Sequence, residues 1–241
     1  MRPVWKESRS LALVAIFASL NIISDSIEGI PQFLSGVWYS WIFITEPLTG
    51  LVLPPHGAFL STLIGVIAGH TIYPRDAYEF LFAVGAPIGS TITGLLFRGK
   101  YKIVLVYFAV LFGAYFVTPI SWQLPLWGMW DTYVAFAVML TATFALFKRE
   151  TVFNDKRRKM APFLLALYAF IGLEADILFR IFLFVPCQTY RTLFLFTAEE
   201  LRIIWLAGAV ITPIQVAVST VGVSIIGVPL LKITRRVDLD E

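Results

Sequence analysis

The sequence predicts an all-α, polytopic integral membrane helix bundle of about eight transmembrane helices, on three observations. Of 241 residues, 58% are hydrophobic and only 15% charged, whereas a soluble domain carries roughly 25% charged residues. The charges are also segregated. Residues 103–130 and 203–231 hold no Lys, Arg, Asp or Glu, and within 47–74 the only His, Lys, Arg, Asp or Glu side chains are His56 and His70. Each run exceeds the ~20 residues that cross a bilayer. Finally, Pro, Gly and charged clusters divide the apolar sequence into eight segments. A soluble enzyme, a nucleic-acid reader and a disordered chain are all excluded.

The first segment, 10–24, follows a short basic stretch. No small-residue cleavage site precedes Asp25 and Glu28, so it reads as a retained span rather than a signal peptide. Segments 37–53 and 57–72 are joined by Pro54-Pro55-His56-Gly57, which cannot continue a helix. Segment 77–97 starts after the turn YPRD and stops at Arg98-Gly99-Lys100. Segments 102–119, 131–147 and 161–185 follow. At about 1.5 Å per residue the last, 203–231, outreaches a ~30 Å hydrocarbon core and must tilt or project. The whole chain, 1–241, is expected to form a single integral membrane domain.

With the N-terminus in the cytoplasm, fifteen Lys and Arg fall on the cytoplasmic side. Three (Arg75, Arg191 and Arg202) fall outside, and Arg180 lies within a span. That is a strong positive-inside bias. It predicts a multi-pass cell-membrane protein with both termini cytoplasmic. The outer loops 25–41 and 120–131 gather Trp38, Tyr39, Trp41, Trp122, Trp127 and Trp130. These form an interfacial aromatic belt, or in part a mouth that stacks a flat solute.

Ionisable groups inside a span are costly and face protein or a wet cavity. The candidates are Glu46, His70, Glu79, Glu174, Asp176 and Arg180, of which His70 and Glu79, near the outer turn, read as interfacial. Glu46 precedes Pro47, which predicts a helix break beside a buried carboxylate. Asp176 and Arg180, four apart, share a face and can pair; Glu174 points elsewhere. Two readings stay open: an ion pair that fixes helix packing, or a polar cavity for a small solute. With three acidic groups and one basic, such a cavity favours a cationic or donor-rich ligand.

Catalytic and metal signatures are missing. His56 and His70 do not form a HExxH-like pair. The single cysteine, Cys187, excludes an intrachain disulfide and a multi-Cys metal site. Glu199-Glu200 with Arg202 lacks the spacing and the downstream histidine of intramembrane CAAX-type proteases. There is no Walker motif, so ATP-driven work would need partner subunits. No cofactor and no catalytic residue is expected, and an intramembrane acid–base enzyme is the least supported reading.

Small residues mark helix faces that approach closely: Gly65 and Gly69, Gly85, Gly89 and Gly94, and, in the first helix, Ala12, Ala15, Ala18 and Ser19. The last group is the better candidate for an external partner.

An alanine-rich first helix (LALVAIFASLNII) is followed by ITEPLTGLVLPPHGAFLSTLIGVIAG, then GSTITGLLFRGK, and finally TPIQVAVSTVGVSIIGVPLLKITRR. Over residues 8–100 and about 160–236 this order resembles the substrate-binding S-components of energy-coupling factor (ECF) vitamin transporters. S-components usually have six spans, so residues 101–150 would be an inserted helix pair. The resemblance implies capture of a small, vitamin-like micronutrient at the outer face. Uptake would be driven by a transmembrane coupling subunit, meeting Ala12, Ala15, Ala18 and Ser19, and by cytoplasmic ATPases. Trp38, Tyr39 and Trp41 would cover the solute. Depth and chemistry add Glu46, Glu174, Asp176, Arg180 and Gln215 as its polar contacts. The alternative is a non-catalytic structural or assembly subunit of a larger membrane complex.

Overall fold

A computed structural model describes residues 4–31, 38–75, 77–146 and 160–239. Its helices are α1 (Val4–Ser26), α2 (Ile42–Val52), α3 (Pro55–Ile72), α4 (Ala77–Phe82), α5 (Gly85–Phe97), α6 (Tyr101–Val117), α7 (Trp130–Leu146), α8 (Ala161–Phe184), α9 (Thr189–Thr192) and α10 (Ala198–Leu239). Two short strands, β1 (Glu28–Pro31) and β2 (Trp38–Ser40), pair antiparallel with Glu28 opposite Ser40. The fold is therefore a helix bundle with one small strand pair. Among the described residues four helical stretches, Ser8–Ser26, Glu79–Phe97, Ala161–Phe184 and Ala198–Thr234, are long and apolar enough to cross a membrane. Ile42–Val52 and Tyr101–Val117 are shorter apolar helices.

Helices α1 and α10 extend beyond the expected 10–24 and 203–231, and two other segments also differ from expectation. The second helix starts at Ile42 rather than near residue 37, because Trp38–Ser40 pairs with β1. The segment 77–97 is interrupted at Ala83-Val84. Pro87 lacks the N–H that would bond the Ala83 carbonyl, and its ring crowds that carbonyl.

Helix α8 is the axis of the bundle. It packs on α5 and α10 most extensively, and on α7, α6 and α2. Tyr168, Ala169, Ile171, Ala175 and Leu178 on α8 are fully buried, in one apolar cluster with Phe108 and Tyr115 of α6, and Ala135 and Met139 of α7. The α6–α7 pair thus shares the principal core. At the periphery, α1 lies along α3. Phe17, Asn21 and Asp25 recur every four residues on its buried side, while Leu11, Ile16 and Ile23 are exposed. Asn21 and Asp25 sit where Gly65 and Gly69 of α3 leave no room for a Cβ; the close approach of the two helices requires glycine there.

Ala18, expected on an external partner face, is instead buried. Residue 18 lies next to Phe17 around the helix and so turns inward with it. Ala12, Ala15 and Ser19 are exposed.

The Arg9 guanidinium donates to the Thr234 carbonyl at 3.3 Å, which puts the start of α1 beside the end of α10. At this end Arg98 closes the α2–α3 turn, donating to Gly50 O (3.2 Å), Leu53 O (2.6 Å) and Gly94 O (2.9 Å).

Candidate functional site

A cavity of about 170 Å³ lies at the bundle end opposite Arg9 and Thr234. Its walls come from the last turn of α1, the first half of α2, the second half of α3, α4 and the start of α5. Ser40 of β2, Gly128 with the start of α7, the second half of α8 and the first half of α10 complete it. Helices alternating in direction bring these parts to one end.

Glu46 is fully buried and lines the cavity. Gly89 of α5 faces it, and a Cβ there would strike Glu46 Oε1. Among the described residues neither Glu46 oxygen has a hydrogen-bond partner. Buried carboxylates without partners are rare, because desolvation is then uncompensated.

Asp176 and Arg180 form the pair expected from their spacing. Nε donates to Oδ1 at 2.6 Å and Nη2 to Oδ2 at 2.7 Å, a bidentate contact. Gly85 makes room for it, since a Cβ there would overlap Asp176 Oδ1. Gln215 lines the opposite wall, its Nε2 buried and without an acceptor among the described residues. Thus Glu46, Asp176, Arg180 and Gln215 converge on one cavity.

The other expected positions are placed differently. Glu174 is fully buried but is not among the lining residues, and both its oxygens lack partners among the described residues. Two residues along a helix is about 200° of rotation, so Glu174 faces away from the wall that Asp176 helps form. Trp41 also lies outside the lining; its ring stacks on Phe43 at 5.7 Å, and Phe43 is the one that reaches the cavity. The side chains of Trp38 and Tyr39 fall outside the described residues.

Several lining residues were not assigned to the site from sequence. His70 and Glu79, read as interfacial, belong to the wall. His70 Nδ1 lies 2.5 Å from Asp25 Oδ2, and the Ser40 hydroxyl donates to Asp25 Oδ1 at 2.6 Å. Asp25 therefore joins α1, β2 and α3. Arg75 extends this group, donating to Glu79 Oε2 (2.6 Å) and to the Asp25 carbonyl (3.1 Å). Across the cavity, Asp131 accepts from the Thr132 N–H at 3.0 Å and lies 3.0 Å from the Thr212 hydroxyl. Trp205 stacks on Tyr115 at 5.6 Å and donates to Pro125 O. Asp25 and Asp131 sit at helix ends, where a carboxylate looks like ordinary loop chemistry in sequence. Only the folding of those ends over the cavity distinguishes them.

The described residues contain no group of three or more His, Cys, Asp or Glu able to hold a metal ion. No family model, curated protein or solved structure matches the chain.

Proposed function

We propose that this chain is a membrane-embedded solute-binding subunit of an importer, of the S-component kind its sequence resembles. Eight crossings leave both termini in the cytoplasm, and the cavity faces outward. A small, vitamin-like micronutrient enters there. A transmembrane coupling subunit docks on the exposed Ala12, Ala15 and Ser19 side of α1, and cytoplasmic ATPases drive release.

The observation that carries this reading is Glu46, fully buried on the wall of a cavity and without a hydrogen-bond partner among the described residues. A brace between helices would be expected to satisfy its own polar groups; a binding site leaves some for its guest. The orientation is supported by the basic residues. Arg9, Arg98, Lys100, Lys102 and Lys232 belong to the end opposite the cavity, so a positive-inside arrangement turns the cavity outward. The two missing hydrogen-bond complements, at Glu46 and Gln215, favour solute capture over a purely structural subunit.

The test is gentle purification of the full chain, with native mass spectrometry of what stays bound, followed by thermal-shift screening against a metabolite library. A retained small molecule, or a solute that raises the unfolding midpoint, is the expected result. A chain that is monodisperse yet indifferent to every solute sinks the reading.

A further inference from the structure

Five carboxylates line the cavity, and four of them have partners of their own. Asp25 meets His70 and Ser40, Glu79 meets Arg75, Asp176 meets Arg180, and Asp131 meets Thr132 and Thr212. Glu46 is left. Its electrostatic neighbours are Asp176 and Arg180, so one guanidinium stands among two carboxylates and is bonded to Asp176 through Nε and Nη2. A carboxylate buried beside a second one holds its charge only at heavy cost, and a cationic guest offsets that cost. The adjoining surface is aromatic, formed by Phe43, Phe82, Phe184 and Trp205. Such rings attract organic cations through their faces. The lack of a multidentate ligand set among the described residues argues against a bare divalent ion.

We propose that the cavity selects a small organic monocation whose N–H donors, of ammonium or amidinium type, bond Glu46. Its apolar body rests on the rings, and an acceptor atom on the same molecule meets Gln215 Nε2. This deepens the solute-binding reading and rests on it. Charge-assisted N–H···O⁻ bonds in a site of low dielectric are about twice as strong as neutral ones. They also supply a counter-charge, which an uncharged or anionic analogue cannot do.

The experiment uses the full chain in nanodiscs and three probes of one shape: benzylamine, benzyl alcohol and benzoate. Binding is read from tryptophan fluorescence, since Trp205 lines the cavity, and from the thermal midpoint. The amine is expected to bind at least tenfold tighter than the alcohol, with benzoate weakest. Glu46→Gln should abolish that tenfold preference and leave the alcohol within twofold, so the alcohol reports that the variant still folds. Should Glu46→Gln not fold, Glu46→Asp, which keeps a carboxylate at that position, is expected to retain a clear amine preference over the alcohol, and its loss overturns the ligand class. Equal binding of amine and alcohol, a preference for benzoate, or an unchanged amine affinity in Glu46→Gln overturns the ligand class alone. If none of the three binds to the well-folded chain, the ligand class and its supporting solute-binding reading are both overturned for solutes of this size.

Discussion

Three prolines show how individual side chains keep this bundle intact where backbone bonds are lost. A proline removes the N–H that would bond the carbonyl four residues earlier, and in an apolar bundle the freed carbonyl needs another donor. Pro47 frees Phe43 O, which accepts from the Ser219 hydroxyl of α10. Pro213 frees Ala209 O, which accepts from Trp130 Nε1 at 3.1 Å. Pro54 frees Gly50 O, which Arg98 reaches. Ser219→Ala should therefore destabilise the chain by about 1–3 kcal/mol, the cost of a buried carbonyl left unbonded. A thermal midpoint in detergent equal to the parent's would refute this. Glu174 gives the opposite expectation. Its carboxyl is buried without a partner among the described residues and lies off the cavity wall, so Glu174→Leu should raise stability by about 1–3 kcal/mol while solute affinity stays within twofold. Loss of affinity with no gain in stability would return Glu174 to the site. Depth in a span was enough to flag Glu46, Asp176, Arg180 and Gln215. It could not say which of Glu174 and Asp176 faces inward, because that depends on how α8 is rotated among its neighbours.

At the scale of elements, the eight apolar segments read from sequence correspond to α1, α2, α3, α4 with α5, α6, α7, α8 and α10, because charge and proline punctuation is a local signal. The misread parts are those that tertiary contacts decide. Trp38–Ser40 carries the aromatic character of a helix start at a membrane surface, yet its backbone pairs with Glu28–Pro31. The segment 77–97 reads from sequence as one helix through Pro87, whereas the structure breaks it at Ala83-Val84. The strand pair is fastened to the bundle by Ser40 Oγ on Asp25, and by the Trp41 N–H on Ser24 O at 3.1 Å. Ser40→Ala removes the first of these and leaves Asp25 with one partner fewer. Amide exchange in Trp38–Ser40 should quicken about fivefold, the equivalent of ~1 kcal/mol of local stability, while exchange in α8 is unchanged. Uniform acceleration through both regions would mean that Ser40 supports the fold as a whole rather than this local closure.

For the whole molecule, the proposed function requires one orientation: the cavity end outside and the Arg98 end in the cytoplasm. Cys187 reports on it directly, as the chain's single cysteine and an exposed one, between α8 and α9 at the cavity end. A membrane-impermeant maleimide added to intact cells should label it to the same extent as after permeabilisation. Labelling that needs permeabilisation would reverse the topology and place the cavity on the cytoplasmic side. The rate carries its own check. Partial burial pushes the Cys187 thiol above its ordinary value, and the thiolate is the reactive form. At neutral pH the neutral thiol therefore dominates, and labelling should accelerate by about tenfold for each pH unit from 7 toward 8.5. A rate that is flat across that interval would mean that access to the α8–α9 turn, rather than ionisation of the thiol, limits the reaction. An outward Cys187 that obeys the pH law would fix the α8–α9 turn, and with it the mouth of the cavity, on the side from which a solute arrives.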